Sequence, residues 1–156
     1  MKTSVKQLDS IHVAFVRRKG PYGPEVCGAA FEALSAWAGP LGFFEKGPVL
    51  ALYWDDPQTT PPEECRMDAC VGVPEGTTPA GEVQLQTVAA GPYAVCSFEI
   101  TTDEFPKAWE QAFGWVLSEE FPLVEQPCVE LYYNDATTHP EDKWLVDICI
   151  PLKEMV

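Results

Sequence analysis

The sequence repeats itself, and a repeat narrows the folds open to a chain more than composition does. "FEALSAWA" is matched by "WEQAFGWV", "GPVLALYWDD" by "QPCVELYYND" and "RMDACVGVP" by "WLVDICIPL", in the same order, and "RRKGPYGP" is echoed by "VAAGPYAV". Pro48 and Pro127 lie 79 residues apart, as do Asp68 and Asp147 (127 − 48 and 147 − 68). The 156 residues therefore read as one domain, 1–156, made of two copies of one unit, with halves at about 1–75 and 83–156. The linker "GTTPAGE", Gly76 to Glu82, is too short to separate independent domains. Each copy alone is too small to bury a stable core.

Each copy is expected to run strand, strand, helix, strand, strand. Strands are predicted near 3–8, 11–19, 49–54 and 66–73, with a helix near 24–38. In the second copy they are predicted near 83–90, 92–101, 128–134 and 144–151, with a helix near 104–119. The helices follow from the three-to-four-residue spacing of Phe31, Leu34 and Trp37, and of Phe105, Trp109, Ala112, Phe113 and Val116. "TTDEF" offers an N-cap with acids in the first turn. The strands are β-branched and aromatic runs bounded by Gly and Pro. The fold class is α+β, with pseudo-two-fold halves, an antiparallel sheet and two helices.

A repeat supplies its own control. Features present in both copies serve the shared fold, and features in one copy need a separate reason. Gly20-Pro21-Tyr22 and Gly91-Pro92-Tyr93 look symmetric and suit turns that position a strand or helix start. Asp68 and Asp147 are symmetric, so they are expected to be satisfied by nearby backbone groups or solvent rather than engaged in chemistry. Tyr53 and Tyr132 are paired as well, and suit core, pocket wall or both.

Glu130 breaks the symmetry. In "CVELYYND" it shares a strand face with Cys128 and Tyr132, and its counterpart in "VLALY" is Ala51. Folding therefore does not require a carboxylate there, and burying an unpaired one costs several kcal/mol, on the order of its lost hydration. A cavity that receives a cation answers that cost; so does a wet face, or an arginine or lysine elsewhere in the fold. Tyr53, Tyr132 and Trp109 are the expected walls, with Phe113, Trp37 and Trp115 as further aromatic candidates that equally suit a core. Each ring in cation–π contact adds roughly 0.5–2 kcal/mol. A carboxylate at the bottom of an aromatic cleft suits a flat, lipophilic, cationic molecule. Cys128 is expected to line the same cleft.

Charge and motifs exclude several other classes. The net charge is −14, which repels a phosphate backbone, and the one basic cluster, Arg17 to Lys19, has no basic flanks. Direct nucleic-acid binding is not expected. The six cysteines at 27, 65, 70, 96, 128 and 149 contain no CxxC, and the two histidines, His12 and His139, stand far apart. No metal ligand set and no cofactor motif follow. Apolar runs around most of the cysteines suit reduced, buried thiols. No signal segment or membrane-length apolar run is present, so a cytoplasmic monomer without membrane attachment is the expected state.

These residues carry a resemblance. From "VKQLDSIHVAFVRRKGPY" through "YWDDPQTTPPEECRMD" and "GPYAVCSFE" to "PCVELYYND", the chain resembles the GyrI-like family of stand-alone DNA gyrase inhibitors and multidrug effector-binding domains. The second stretch is the most specific. The resemblance implies two fused strand–helix–strand–strand halves around a concave groove, and a glutamate, here Glu130, that meets cationic aromatic compounds. The first predicted strand begins so near Met1 that no helix-turn-helix is expected. Three functions follow as expectations. The first is a module that binds or sequesters cationic or lipophilic aromatic compounds or toxins. The second is an inhibitor or protector acting on DNA gyrase by protein–protein contact. The third is a hydrolase of cyclopropane-containing genotoxins, in which Glu130 acts on a water and a tyrosine, Tyr132 or Tyr93, polarises the leaving carbonyl.

Overall fold

Two short links decide how the strands pair. Strands β1 (Lys2–Leu8) and β2 (Ile11–Lys19) are joined by Asp9-Ser10, and β5 (Gln84–Val88) and β6 (Gly91–Ile100) by Ala89-Ala90. The favoured two-residue hairpin turns need positive φ. Among the described residues, the non-glycine residues with positive φ are Glu120 and Asp142. Neither link turns back on itself. Instead β1 pairs antiparallel with β6, and β2 with β5.

The computed structural model describes residues 1–154. It contains two compact units, cut at these same links: an N-terminal unit, Ser10–Ala89, and a C-terminal unit made of Met1–Asp9 and the chain from Ala90 onward. The halves legible in the sequence thus exchange their first strands.

In the N-terminal unit the sheet runs β5-β2-β4-β3, all antiparallel, with β3 at Val49–Tyr53 and β4 at Arg66–Gly72. Helix α1 (Pro24–Ala38) starts with proline at its first turn, where a missing N–H costs nothing. It buries Ala30, Leu34 and Ala38, one residue per turn, which gives a narrow, small-residue face against β2 and β4. A short helix absent from the sequence expectation, α2 (Phe43–Lys46), follows Gly42 at φ 74° and seats Phe43 on Trp37, ring centroids 5.3 Å apart.

The C-terminal unit repeats that order as β1-β6-β8-β7, with β7 at Cys128–Tyr132 and β8 at Trp144–Pro151. Helix α3 (Phe105–Ser118) buries Ala108, Ala112 and Val116. The expected cap in "TTDEF" is present as a capping box. The Thr101 N–H donates to Glu104 Oε1 at 2.9 Å, and a 3-10 turn, Thr102–Glu104, leads into the helix. The α3 face packs with Ala94, Cys96, Ile100, Val146, Ile148 and Ile150 from β6 and β8. Strand alternation sends their neighbours to the other side of the sheet.

Candidate functional site

Register brings the repeat into correspondence without any alignment. Asp68 of β4 lies between Arg17 and Leu52, and Asp147 of β8 lies between Ser97 and Leu131. One position further on, Ala51 faces Ala69, and Glu130 faces Ile148. The buried triads of α1 and α3 match Phe31 to Trp109 in the same way.

Glu130 sits on the α3 side of its sheet and is 3% exposed. Its two oxygens are held separately. The Trp109 indole Nε1–H donates to Oε2 at 2.5 Å, and the Tyr132 hydroxyl donates to Oε1. A carboxylate offers only acceptors when ionised, so two convergent donors suit it. Trp109 comes from α3, one helical turn from Phe113, whose ring stacks on it at 5.9 Å. Cys128, Tyr132, Trp109, Phe113 and Trp144 are partly buried and pack on the α3 core.

In the N-terminal unit the corresponding pair is Phe31 and Ala51, which have no polar side-chain group. The indole donor and the carboxylate acceptor therefore enter the repeat together. The aromatic pair Trp115–Phe121, at 5.2 Å, has a counterpart in Trp37–Phe43, and so belongs to the shared scaffold.

The other expected site residues are distributed differently. Tyr53 belongs to the N-terminal unit, where its hydroxyl lies 3.3 Å from Cys27 Sγ and its ring meets Tyr22 edge-on at 4.9 Å. Tyr93 is buried in β6 on the side of the sheet away from Ala94 and Cys96. Burial pushes its phenol up, with Cys149 and Cys128 adding to the shift. The "GPY" match is coincidental. Gly20-Pro21-Tyr22 follows β2 and leads into α1, whereas Gly91-Pro92-Tyr93 opens β6.

The paired aspartates are satisfied differently from expectation. Asp68 is fully buried and accepts from Arg17 Nε (2.7 Å), Arg17 Nη2 (3.0 Å), Trp54 Nε1 (2.7 Å) and Gln86 Nε2 (2.8 Å). Asp147 accepts from the hydroxyls of Ser97 (2.5 Å) and Tyr133 (2.6 Å). Side chains do the work assigned to backbone and solvent, because the adjacent strands spend their own backbone groups on the sheet. Burial, and then the contact to Asp147, raise the Tyr133 phenol.

None of the six cysteines is in a disulfide. Among the described residues no group of three or more His, Cys, Asp or Glu side chains is placed to hold a metal ion, and no helix is long and apolar enough to cross a membrane.

The GyrI-like small molecule binding domain matches residues 1–153. The chain belongs to the GyrI-like family. A GyrI-like relative from Enterobacter lignolyticus, named DNA gyrase inhibitor, is 32% identical over 154 residues, covering 96% of each chain. A Bacillus subtilis relative, named SPbeta prophage-derived putative transcriptional regulator YosT, is 27% identical over 153 residues, covering 98% of this chain and 100% of that one. Among solved structures, the EcmrR C-terminal domain superposes with a TM-score of 0.77 at 15% identity, covering 99% and 98% of the two chains. A Listeria innocua hydrolase gives 0.69 at 12% identity over 97% and 92%. SAV2435 bound to tetraphenylphosphonium gives 0.66 at 17% identity over 98% and 94%. At these identities the structural likeness concerns the fold, and the α+β antiparallel architecture expected of a GyrI-like chain is what is found.

The sequence singled out Glu130, Tyr132 and Trp109, and the structure brings those three together. The sequence did not reveal the N–H that Trp109 donates to Glu130, nor Trp144, whose ring lies 5.5 Å from that of Tyr132. A signal for Trp144 was available: at the 79-residue spacing it stands opposite Cys65, a second replacement of a small residue in the copy that holds Glu130.

Proposed function

We propose that this GyrI-like domain binds small lipophilic aromatic cations, with Glu130 as the charged anchor and Trp109, Tyr132 and Cys128 as its immediate surroundings. The observation that carries the reading is a carboxylate almost wholly removed from water, each oxygen oriented by an aromatic donor. That arrangement places a carboxylate among aromatic rings, the two elements that recognise a delocalised or quaternary cation. The family's small-molecule binding, and the tetraphenylphosphonium held by SAV2435, support the ligand class. Six cysteines outside any disulfide suit a reducing compartment such as the cytoplasm.

The test is a titration with tetraphenylphosphonium and an uncharged aromatic of similar size, on wild type and Glu130→Gln. A unit charge about 5 Å from the carboxylate, at an effective dielectric of about 20, gains about 3 kcal/mol. Glu130→Gln should therefore weaken the cation roughly 100-fold and leave the neutral compound within about threefold. Equal affinity of wild type and variant for the cation would remove Glu130 from the site.

Two observations favour alternative readings. Relatives named DNA gyrase inhibitor, together with a net charge of −14, favour contact with a basic enzyme surface. That reading expects loss of gyrase supercoiling on titration, and full activity at stoichiometric excess opposes it. The Glu130–Tyr132 contact is also a carboxylate–phenol pair of the kind a hydrolase uses. Multiple turnovers on an electrophilic cyclopropane, lost in Glu130→Gln, would move the domain to that class.

A further inference from the structure

We propose that Trp144 is a positioning residue of the Glu130 site, holding Tyr132 so that its hydroxyl stays on the carboxylate. The proposal rests on the reading of Glu130 given above.

Trp144 opens β8 and pairs with Ile100 of β6. Its indole Nε1–H is committed elsewhere, donating to Thr102 Oγ1 at 3.1 Å. Thr102 begins the 3-10 turn that the Thr101–Glu104 capping box secures at the start of α3. Anchored at that edge, the Trp144 ring lies against Tyr132, centroids 5.5 Å apart and planes inclined at 54°. Tyr132 donates to Glu130 Oε1, and Trp109, on α3, donates to Oε2. The contacts form a closed circuit from the start of α3 through β8 and β7 back to α3. A phenol has two soft side-chain torsions, and a fixed aromatic neighbour removes much of that freedom.

The repeat supports the assignment. The residue opposite Trp144 is Cys65, which is buried and has no ring to offer. There Tyr53 lies against Tyr22 and beside Cys27 instead. Glu130, Trp109 and Trp144 thus all replace non-polar or small counterparts in one unit, while the tyrosine between them is common to both. Trp144 acts through Tyr132 and is not itself a ligand contact.

The experiment has a ligand-free arm and a binding arm. Tyrosine Cζ is labelled with ¹³C, and the Tyr132 resonance is assigned with Tyr132→Phe. Trp144→Leu should move that resonance in the same direction as Glu130→Gln does, and Trp144→Phe, which keeps a ring, should move it less. In tetraphenylphosphonium titrations Trp144→Leu should weaken binding about five- to tenfold. In a Tyr132→Phe background the same change should have an effect under about twofold, the signature of coupled residues. If Trp144→Leu does not fold, Thr102→Val removes only the anchor and should shift the Tyr132 signal the same way. An unmoved Tyr132 resonance overturns the proposal, and so do equal losses in both backgrounds, which would make Trp144 a ligand contact. Wild type that ignores tetraphenylphosphonium sinks the ligand reading, while the resonance still decides the role of Trp144.

Discussion

Replacing Asp68 by alanine should cost about 3 kcal/mol, and replacing its repeat counterpart Asp147 about 1 kcal/mol. The difference comes from what each carboxylate holds. Asp68 has no exposed surface and accepts two bonds from the Arg17 guanidinium and one each from Trp54 and Gln86. That guanidinium lies over Trp54, 4.9 Å from the ring centroid, and over Phe15 at 5.5 Å. Removing Asp68 leaves a cation on an apolar bed and two N–H donors without their acceptor. Breaking a buried ion pair costs about 3–5 kcal/mol. The Arg17 side chain keeps 39% of its surface exposed, so water solvates its outer edge and the lower end of that range applies. Asp147 holds two neutral hydroxyls, and Tyr133 is 60% exposed, so both donors turn to water at little cost. Urea unfolding followed by tryptophan fluorescence measures both variants. For a chain of this size a loss of 3 kcal/mol lowers Tm by roughly 6–12 °C. Equal losses for the two variants, or a loss under about 1 kcal/mol for Asp68→Ala, would refute the reasoning.

Further predictions follow from packing and titration. Gly47→Ala should destabilise sharply in thermal melts, because a Cβ there would stand 2.3 Å from the Gly72 carbonyl oxygen; an unchanged Tm would mean the backbone yields freely. Thiol labelling at pH 8 followed by peptide mapping should find Cys27 and Cys128, both half-buried, ahead of the other four. Burial pushes Cys149 to about 12 and Cys96 to about 11, and raises Cys65 and Cys70 as well. The Arg66 guanidinium bonds Asp55 and lowers its carboxyl. A depressed carboxylate stabilises the fold above its unfolded value near 3.9 and loses that contribution as pH falls through the folded one. Arg66→Ala should therefore show a flatter loss of stability below about pH 4 than wild type. A parallel acid limb would remove Asp55 from the account.

Much of the fold was legible because its signals are local. The three-to-four-residue spacing of Phe31, Leu34 and Trp37 is enough to announce α1, and "TTDEF" announces the start of the second helix because a capping box spans four residues. The asymmetry of Glu130 was legible too, since register follows the repeat and the repeat can be read against itself. Short matches without a register behind them misled: "GPY" occurs twice and occupies two unrelated places.

What the sequence alone determined is the order of the eight strands and two long helices, the antiparallel α+β class and the presence of one carboxylate, Glu130, with no counterpart in the other copy. Tertiary structure decided the partners. Whether β1 pairs with β2 or β6 depends on backbone angles at Asp9-Ser10, which many residues can adopt. Whether Asp68 meets backbone, solvent or Arg17, and whether Trp109, 21 residues before Glu130, offers it a ring face or an N–H, depends on side chains from distant strands and helices arriving within about 3 Å of one another. Hydrogen bonds require that approach, and no periodicity in the chain encodes it. The scaffold therefore followed from pattern, and the chemistry around Glu130 from packing.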